Sequence, residues 1–154
     1  MIAKGYFYIK IKQIAVRLPM KNCLIEKVIK LNFPFGDYAL FGSAPMFVRG
    51  LREEMHDVDI VVTEKLWQKM QTVPGWKMET ASSGDPVLRF EELELFGGWA
   101  PGEWDVDALI RTADVIDGLP FVTLANVLKW KKAYGREKDL ADVKKIEEYL
   151  IALK

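Results

Sequence analysis

Two carboxylates set two residues apart at the head of an apolar run constrain this chain more than any other feature. The run is Asp57-Val58-Asp59-Ile60-Val61-Val62. Side chains two apart on a strand leave on the same face, so Asp57 and Asp59 point together. Like charges at a few ångströms repel and push a pKa upward unless positive charge lies between them. A divalent cation is the usual remedy, and Mg²⁺ combines a few carboxylate oxygens with substrate phosphates and water. A strand start with two solvated acids is the plainer alternative. Upstream, the apolar run Tyr38 to Phe41 closes on Gly42-Ser43. That reads as a strand stopping at a tight turn, where Gly takes positive φ freely and lets a phosphate approach the backbone. The Ser43 hydroxyl adds a donor, and the turn shifts the balance toward a metal-phosphate site.

Composition narrows the classes. A chain of 154 residues, half of them apolar, is expected to form one domain with a real core. Lys+Arg and Asp+Glu are each 22, so no overall field recruits nucleic acid or an anionic membrane, and any polyanion site must be local. Cys23 is the one cysteine and His56 the one histidine, which excludes an intrachain disulfide and a Cys/His zinc site and fits a reducing, cytoplasmic setting. No apolar run reaches the roughly 18 residues that a membrane span needs, so no membrane partner is expected. Residues 1–19 carry Lys4, Lys10, Lys12 and Arg17 and no acid, but lysines interrupt the apolar residues and no cleavage site follows, a poor signal peptide. Alternation from Tyr6 to Lys12 suggests a strand. Residues 1–19 are expected to be a peripheral segment, with the main domain over 20–154 and Met20 as an alternative start.

Along the main domain, Asn22 reads as the cap of a helix bearing Leu24, Ile25, Val28 and Ile29. Pro45 to Arg52 reads as a short helix or turn, Thr63 to Thr72 as a capped helix, and Val87 to Phe96 as a strand. Asp105 and Asp107 could open a second strand, but acids in a first turn suit a helix dipole, with Val106, Leu109 and Ile110 on one face. Trp99, in a Gly/Pro loop, reads as a buried anchor or a base-stacking side chain. Thr123 caps a helix that Gly135 ends, and Leu140 to Ile151 form the last amphipathic helix. The fold class is therefore α+β: a small mixed sheet, helices packed on one face, and C-terminal helices.

Gly42-Ser43 followed by Asp57 and Asp59, alternating with Val58 and Ile60, resembles the signature of the nucleotidyltransferase superfamily whose core is that of DNA polymerase beta. The stretch from Lys131 to Leu140 resembles the C-terminal pattern of its small antibiotic-modifying and toxin-related members. The resemblance covers Tyr38 to the C-terminus. It implies a Gly-Ser turn that holds a triphosphate, two strand acids that bind metal, and a third acid on a later strand. Glu94, between Leu93 and Leu95, matches the third acid, with Glu92 and Asp107 as alternatives. The implied activity is transfer of an NMP group from an NTP to an acceptor hydroxyl or amine with two Mg²⁺ ions, or Mn²⁺ in their place. The acceptor stays open among a small molecule, a tRNA and a protein. The alternative is a catalytically inactive nucleotide-sensing or partner-binding module on the same fold, as in a toxin–antitoxin pair.

Four cations are candidates for the triphosphate. Arg49 and Arg52 follow the Gly-Ser turn, and Arg49 is preferred as an added bidentate charge; weak surface pairs with Glu53 and Glu54 are the other reading. Lys132 and Arg136 lie at i, i+4 across Gly135 and could reach a triphosphate, or could be helix-end cations paired with Asp139. His56 would point away from both acids and is expected to pack or lie on the surface. No P-loop is present, and Asp57-x-Asp59 lacks the further ligands of an EF-hand.

Overall fold

The computed structural model describes the backbone of residues 6–11 and 14–19 and the whole of residues 22–154. β1 (Tyr6–Ile11) and β2 (Ile14–Pro19) pair antiparallel as their own two-stranded sheet, so the expected first strand is present. Met20, the alternative start, lies outside the described residues.

Local signals set most element ends. α1 (Cys23–Leu31) starts where Asn22 Oδ1 accepts from the N–H groups of Leu24 and Ile25 at 3.0 and 3.1 Å. β3 (Tyr38–Leu40) leads through Gly42 into the single turn of α2 (Ala44–Phe47). β4 (Val58–Val62) carries the acid pair, and α3 (Glu64–Met70) follows, capped by Thr63. Next come β5 (Lys77–Thr80), β6 (Pro86–Phe90) and β7 (Leu93–Phe96). α4 (Val106–Arg111) begins at an Asp105 cap, which settles Asp105 and Asp107 as helix-start acids. β8 (Asp114–Ile116) and β9 (Leu119–Phe121) precede α5 (Leu124–Tyr134), which Gly135 closes at φ 65°, and α6 (Glu137–Ala152).

The larger sheet has seven strands in the order β5-β6-β7-β4-β3-β9-β8. β4 is antiparallel to β3 and parallel to β7, and β3 is parallel to β9, so the sheet is mixed and the class α+β as expected. The helices do not keep to one face. Leu40, Ile60 and Leu95 share a core with Val28 and Leu66 from α1 and α3. Phe41, Val61 and Phe96 share another with Leu109, Val127 and Ile146 from α4, α5 and α6. β3 is apolar at every position and β4 at every position but Asp59, so both sides must be covered. Burying each Val or Ile of β4 contributes about 1.5–3 kcal/mol.

Two further differences concern strands. The run Val87 to Phe96, expected as one strand, is a hairpin that turns at Glu91 and Glu92, with Glu91 at φ 52°. Two adjacent acids after Phe90 break the alternation there. The Asp117-Gly118 turn likewise joins a β8–β9 hairpin that periodicity over three-residue strands is too short to reveal. Among the described residues no helix is long and apolar enough to cross a membrane.

Candidate metal and nucleotide site

The acid cluster follows from strand register. Parallel pairing sets Asp59 opposite Glu94, on the face that also bears Val61 and Phe96. Asp57, just before β4, sits two residues along the same face. One oxygen from each of Asp57, Asp59 and Glu94 lies within 4.8 Å of the others. On the far side, antiparallel β6 places Arg89 opposite Glu94, where its Nε donates to Glu94 Oε2 at 2.5 Å and its Nη1 lies 3.3 Å from Glu79 Oε1. Three strands thus align Arg89, Glu94 and Asp59 in one row.

The Gly-Ser turn is locked against this row. Leu40 pairs with Ile60, and the Phe41 N–H donates to the Asp59 carbonyl at 2.8 Å. Gly42 sits at φ 62°, and a Cβ there would stand 2.2 Å from Asp59 Oδ2. Both the backbone conformation and the close approach require glycine. Among the described residues the Gly42 and Ser43 N–H groups have no backbone acceptor, and Ser43 makes no side-chain capping bond.

A cavity of about 360 Å³ opens over the acids, within the size range of small-molecule sites. Gly42, Ser43 and the three carboxylates form one wall, and Trp130, Lys131, Tyr134, Arg136 and Lys138 another. On the sheet wall, burial raises the pKa of Asp59 well above its ordinary value, and the contact with Glu94 and the charge of Asp57 raise it further. Asp57 is raised by burial and then by Glu94, with His56, Lys138 and Arg89 opposing. On the helix wall, burial works against the charge of Asp139, but hydrogen bonds from Arg136 and the charge of Lys131 outweigh it and hold the carboxyl below its ordinary range. Arg136 forks onto Asp139 through Nε and Nη2 at 2.7 and 3.0 Å and stacks on Tyr134 at 3.6 Å. Lys131 Nζ lies 2.9 Å from Asp142 and 3.4 Å from Asp139.

The structure brings together Gly42, Ser43, Asp57, Asp59, Glu94 and Arg136 of the expected set. Arg49 and Lys132 are elsewhere. Arg49 is buried, donating to the Pro45 carbonyl at 2.9 Å and to Asp114, because α2 turns its far side toward β8. Lys132 pairs with Glu147 at 3.3 Å on the exposed side of α5. Glu92 is drawn into the β6–β7 turn, 2.7 Å from Lys27, and Asp107 stays in the exposed first turn of α4. His56 is on the surface, one of its two expected roles, but it lines the rim of the cavity that holds both acids. Trp99 is an anchor, stacked on Phe41 at 4.4 Å.

Arg52, the less preferred of the two arginines after the Gly-Ser turn, lines the cavity, and three further cavity cations escaped the sequence reading: Arg89, Lys131 and Lys138. A signal for Lys131 existed, since Leu124, Val127, Lys131 and Tyr134 fall on one helical face and Lys132 does not. For Arg89 the signal is the Glu91-Glu92 pair, which as a turn sets Arg89 across from Glu94. No family model matches the chain, and no curated protein does.

Proposed function

We propose that the chain is a metal-dependent nucleotidyltransferase, moving an NMP group from an NTP to an acceptor hydroxyl or amine. One observation carries the reading: Glu94, on a separate strand, completes a three-carboxylate cluster with Asp57 and Asp59. Three acids sharing the one ion pair to Arg89, with the pKa values of Asp57 and Asp59 raised, are a donor set short of positive charge, and hard oxygen ligands suit Mg²⁺ or Mn²⁺. Asp57, Asp59 and Glu94 would hold a pair of such ions. When bound, the ions supply Lewis-acid stabilisation of charge on the transferring phosphoryl group.

The chain's own groups do the remaining work. Gly42 and Ser43 offer N–H donors to the β- and γ-phosphates, and Gly42 leaves them room. Arg136 and Lys138 on the helix wall, with Arg52, carry the positive charge that reaches the same cavity. The acceptor oxygen or nitrogen attacks the α-phosphorus in line, the bond to the pyrophosphate oxygen breaks, and Glu94 accepts the acceptor's proton.

A second reading, an inactive nucleotide-sensing or partner-binding module, is favoured by the Arg89 ion pair, which engages the third carboxylate. Calorimetric titration of non-hydrolysable NTP analogues with and without Mg²⁺ separates the two. Magnesium-dependent binding that disappears in Asp57→Asn/Asp59→Asn supports the enzyme and justifies an acceptor screen. Binding indifferent to Mg²⁺ and to both acids would move the assignment to the second reading.

A further inference from the structure

The cavity wall that bears the acids also bears one cation in direct contact with them. Arg89 stands between two carboxylates: Nε donates to Glu94 Oε2, and Nη1 reaches Glu79 Oε1 at 3.3 Å. The two anchors differ in setting. The Glu94 side chain is 16% exposed and belongs to the acid cluster, whereas the Glu79 side chain is 46% exposed on the edge strand β5. The Arg89 side chain is itself about one-third exposed, so the guanidinium has room to turn. Of the other cavity cations, Lys131 is committed to Asp142 and Asp139, Arg136 to Asp139 and Arg52 to Asp142 at 3.5 Å, while Lys138 makes no ion pair among the described residues.

We infer that Arg89 is a positioning residue that holds Glu94 while the acids are metal-free and cedes it when a divalent cation binds, turning wholly to Glu79. The inference rests on the metal-binding reading of Asp57, Asp59 and Glu94. Its physical content is a competition. The ion must displace a charge-assisted hydrogen bond to gain its third carboxylate, and Glu79 offsets part of that loss. Arg89 therefore lowers cation affinity, while offsetting part of the repulsion between Glu94 and Asp59 when no ion is present.

The test is titration with Mn²⁺ alone, without nucleotide, by calorimetry. Arg89→Met is expected to bind Mn²⁺ roughly three- to tenfold more tightly than wild type. Lys138→Met removes an equal charge from the same cavity and is expected to change affinity by less than about twofold, because Lys138 has no ion pair with a cluster acid. Arg89→Lys keeps the charge but loses the fork, and is expected to fall between wild type and Arg89→Met. Glu79→Gln is expected to weaken binding roughly twofold in wild type and to lose that effect in Arg89→Met, since the second anchor matters only while Arg89 is present. Thermal melts without metal keep the variants interpretable: a folded Arg89→Met with a lower melting point that added Mn²⁺ restores fits the displaced pair.

Equal or weaker Mn²⁺ binding by folded Arg89→Met overturns the inference while leaving the metal site standing. Equal tightening by Lys138→Met also overturns it, reducing the effect to bulk charge. If neither wild type nor Arg89→Met binds Mn²⁺, both the inference and the metal reading fail. Binding by Arg89→Met alone would be the strongest support.

Discussion

The two walls of the cavity hold carboxylates in opposite electrostatic states. On the sheet wall Asp57, Asp59 and Glu94 crowd together with, among the described residues, a single ion-pair partner, Arg89, and Asp59 is driven toward its protonated form by burial and by its neighbours. On the helix wall Asp139 and Asp142 are buried more fully, yet Lys131 and Arg136 compensate them and Asp139 is held ionised. Burial alone therefore does not decide a carboxyl's state; the nearest cation does. The helix wall's acids are compensated by two cations, whereas among the described residues the sheet wall's three acids have one ion-pair partner, Arg89.

The largest expected effect comes from making the helix wall resemble the sheet wall. Lys131→Met keeps most of the stem's volume but leaves Asp139 and Asp142 without their shared ammonium. Breaking a buried pair from one side costs about 3–5 kcal/mol, which should read out as a lower urea midpoint at pH 7. The gap to wild type should narrow at acid pH, because Asp139 without its ammonium partner can then take up a proton. A small, pH-independent penalty would mean that Lys131 compensates neither acid.

Next in size is an attack on the sheet wall's geometry. Gly42→Ala must adopt φ near 62° and also displace Asp59 Oδ2, 2.2 Å from the new Cβ. We expect a loss of about 2–3 kcal/mol. Gly50→Ala is the control, with a similar φ of 74° and open space around its Cβ, and should cost about 1 kcal/mol. Equal losses at the two positions would show that the Gly42–Asp59 approach carries no energy of its own.

The sheet wall's acid pair was legible in the sequence and the helix wall largely was not, for a physical reason. A two-residue period fixes which face Asp57 and Asp59 share, whereas Glu94 was reached only through the resemblance, with Glu92 and Asp107 beside it, because its place opposite Asp59 depends on strand register. Caps at Asn22, Thr63, Thr123 and Gly135 were readable as the Asp57-Asp59 pair was, each acting within three or four residues. Arg49 and Arg52 are three apart, and which one meets the cavity depends on how a single-turn helix sits against β8, a tertiary fact. The Arg89–Glu94 row needed the hairpin register, hidden when ten residues are taken as one strand.

A smaller effect, opposite in sign, is expected at Asp59. Asp59→Asn removes a charge from a crowded, half-buried cluster, so the metal-free variant should be about 1 kcal/mol more stable than wild type at pH 7. The sign follows from the direction of the shift. Because the folded pKa of Asp59 is raised, its favourable contribution is fully present below the ordinary carboxyl value near 4 and is lost as pH rises through the raised value. Asp139, shifted down, behaves in reverse, contributing above that ordinary value and losing its contribution as pH falls through the lowered one. The advantage of Asp59→Asn should thus vanish at acid pH, and saturating Mg²⁺ should stabilise wild type alone. An Asp59→Asn variant less stable at pH 7 than at pH 4, relative to wild type, would contradict the raised state.

The smallest effect sharpens the comparison along one helix. Lys131 and Lys132 are neighbours in α5, yet one is buried between two acids and the other is half exposed opposite Glu147. Lys132→Ala gives up a surface pair of a few tenths of a kcal/mol and gains slightly in helix propensity, so stability should move by less than about 0.5 kcal/mol. Nucleotide-analogue affinity should not move at all, because Lys132 is outside the cavity. Lys138→Ala, inside it, should weaken that binding roughly two- to fivefold, a loss that added salt reduces. A Lys132→Ala loss as large as that of Lys138→Ala would require α5 to present its other face to the bound nucleotide. The buried Lys131 pairs would then have to break for the site to form.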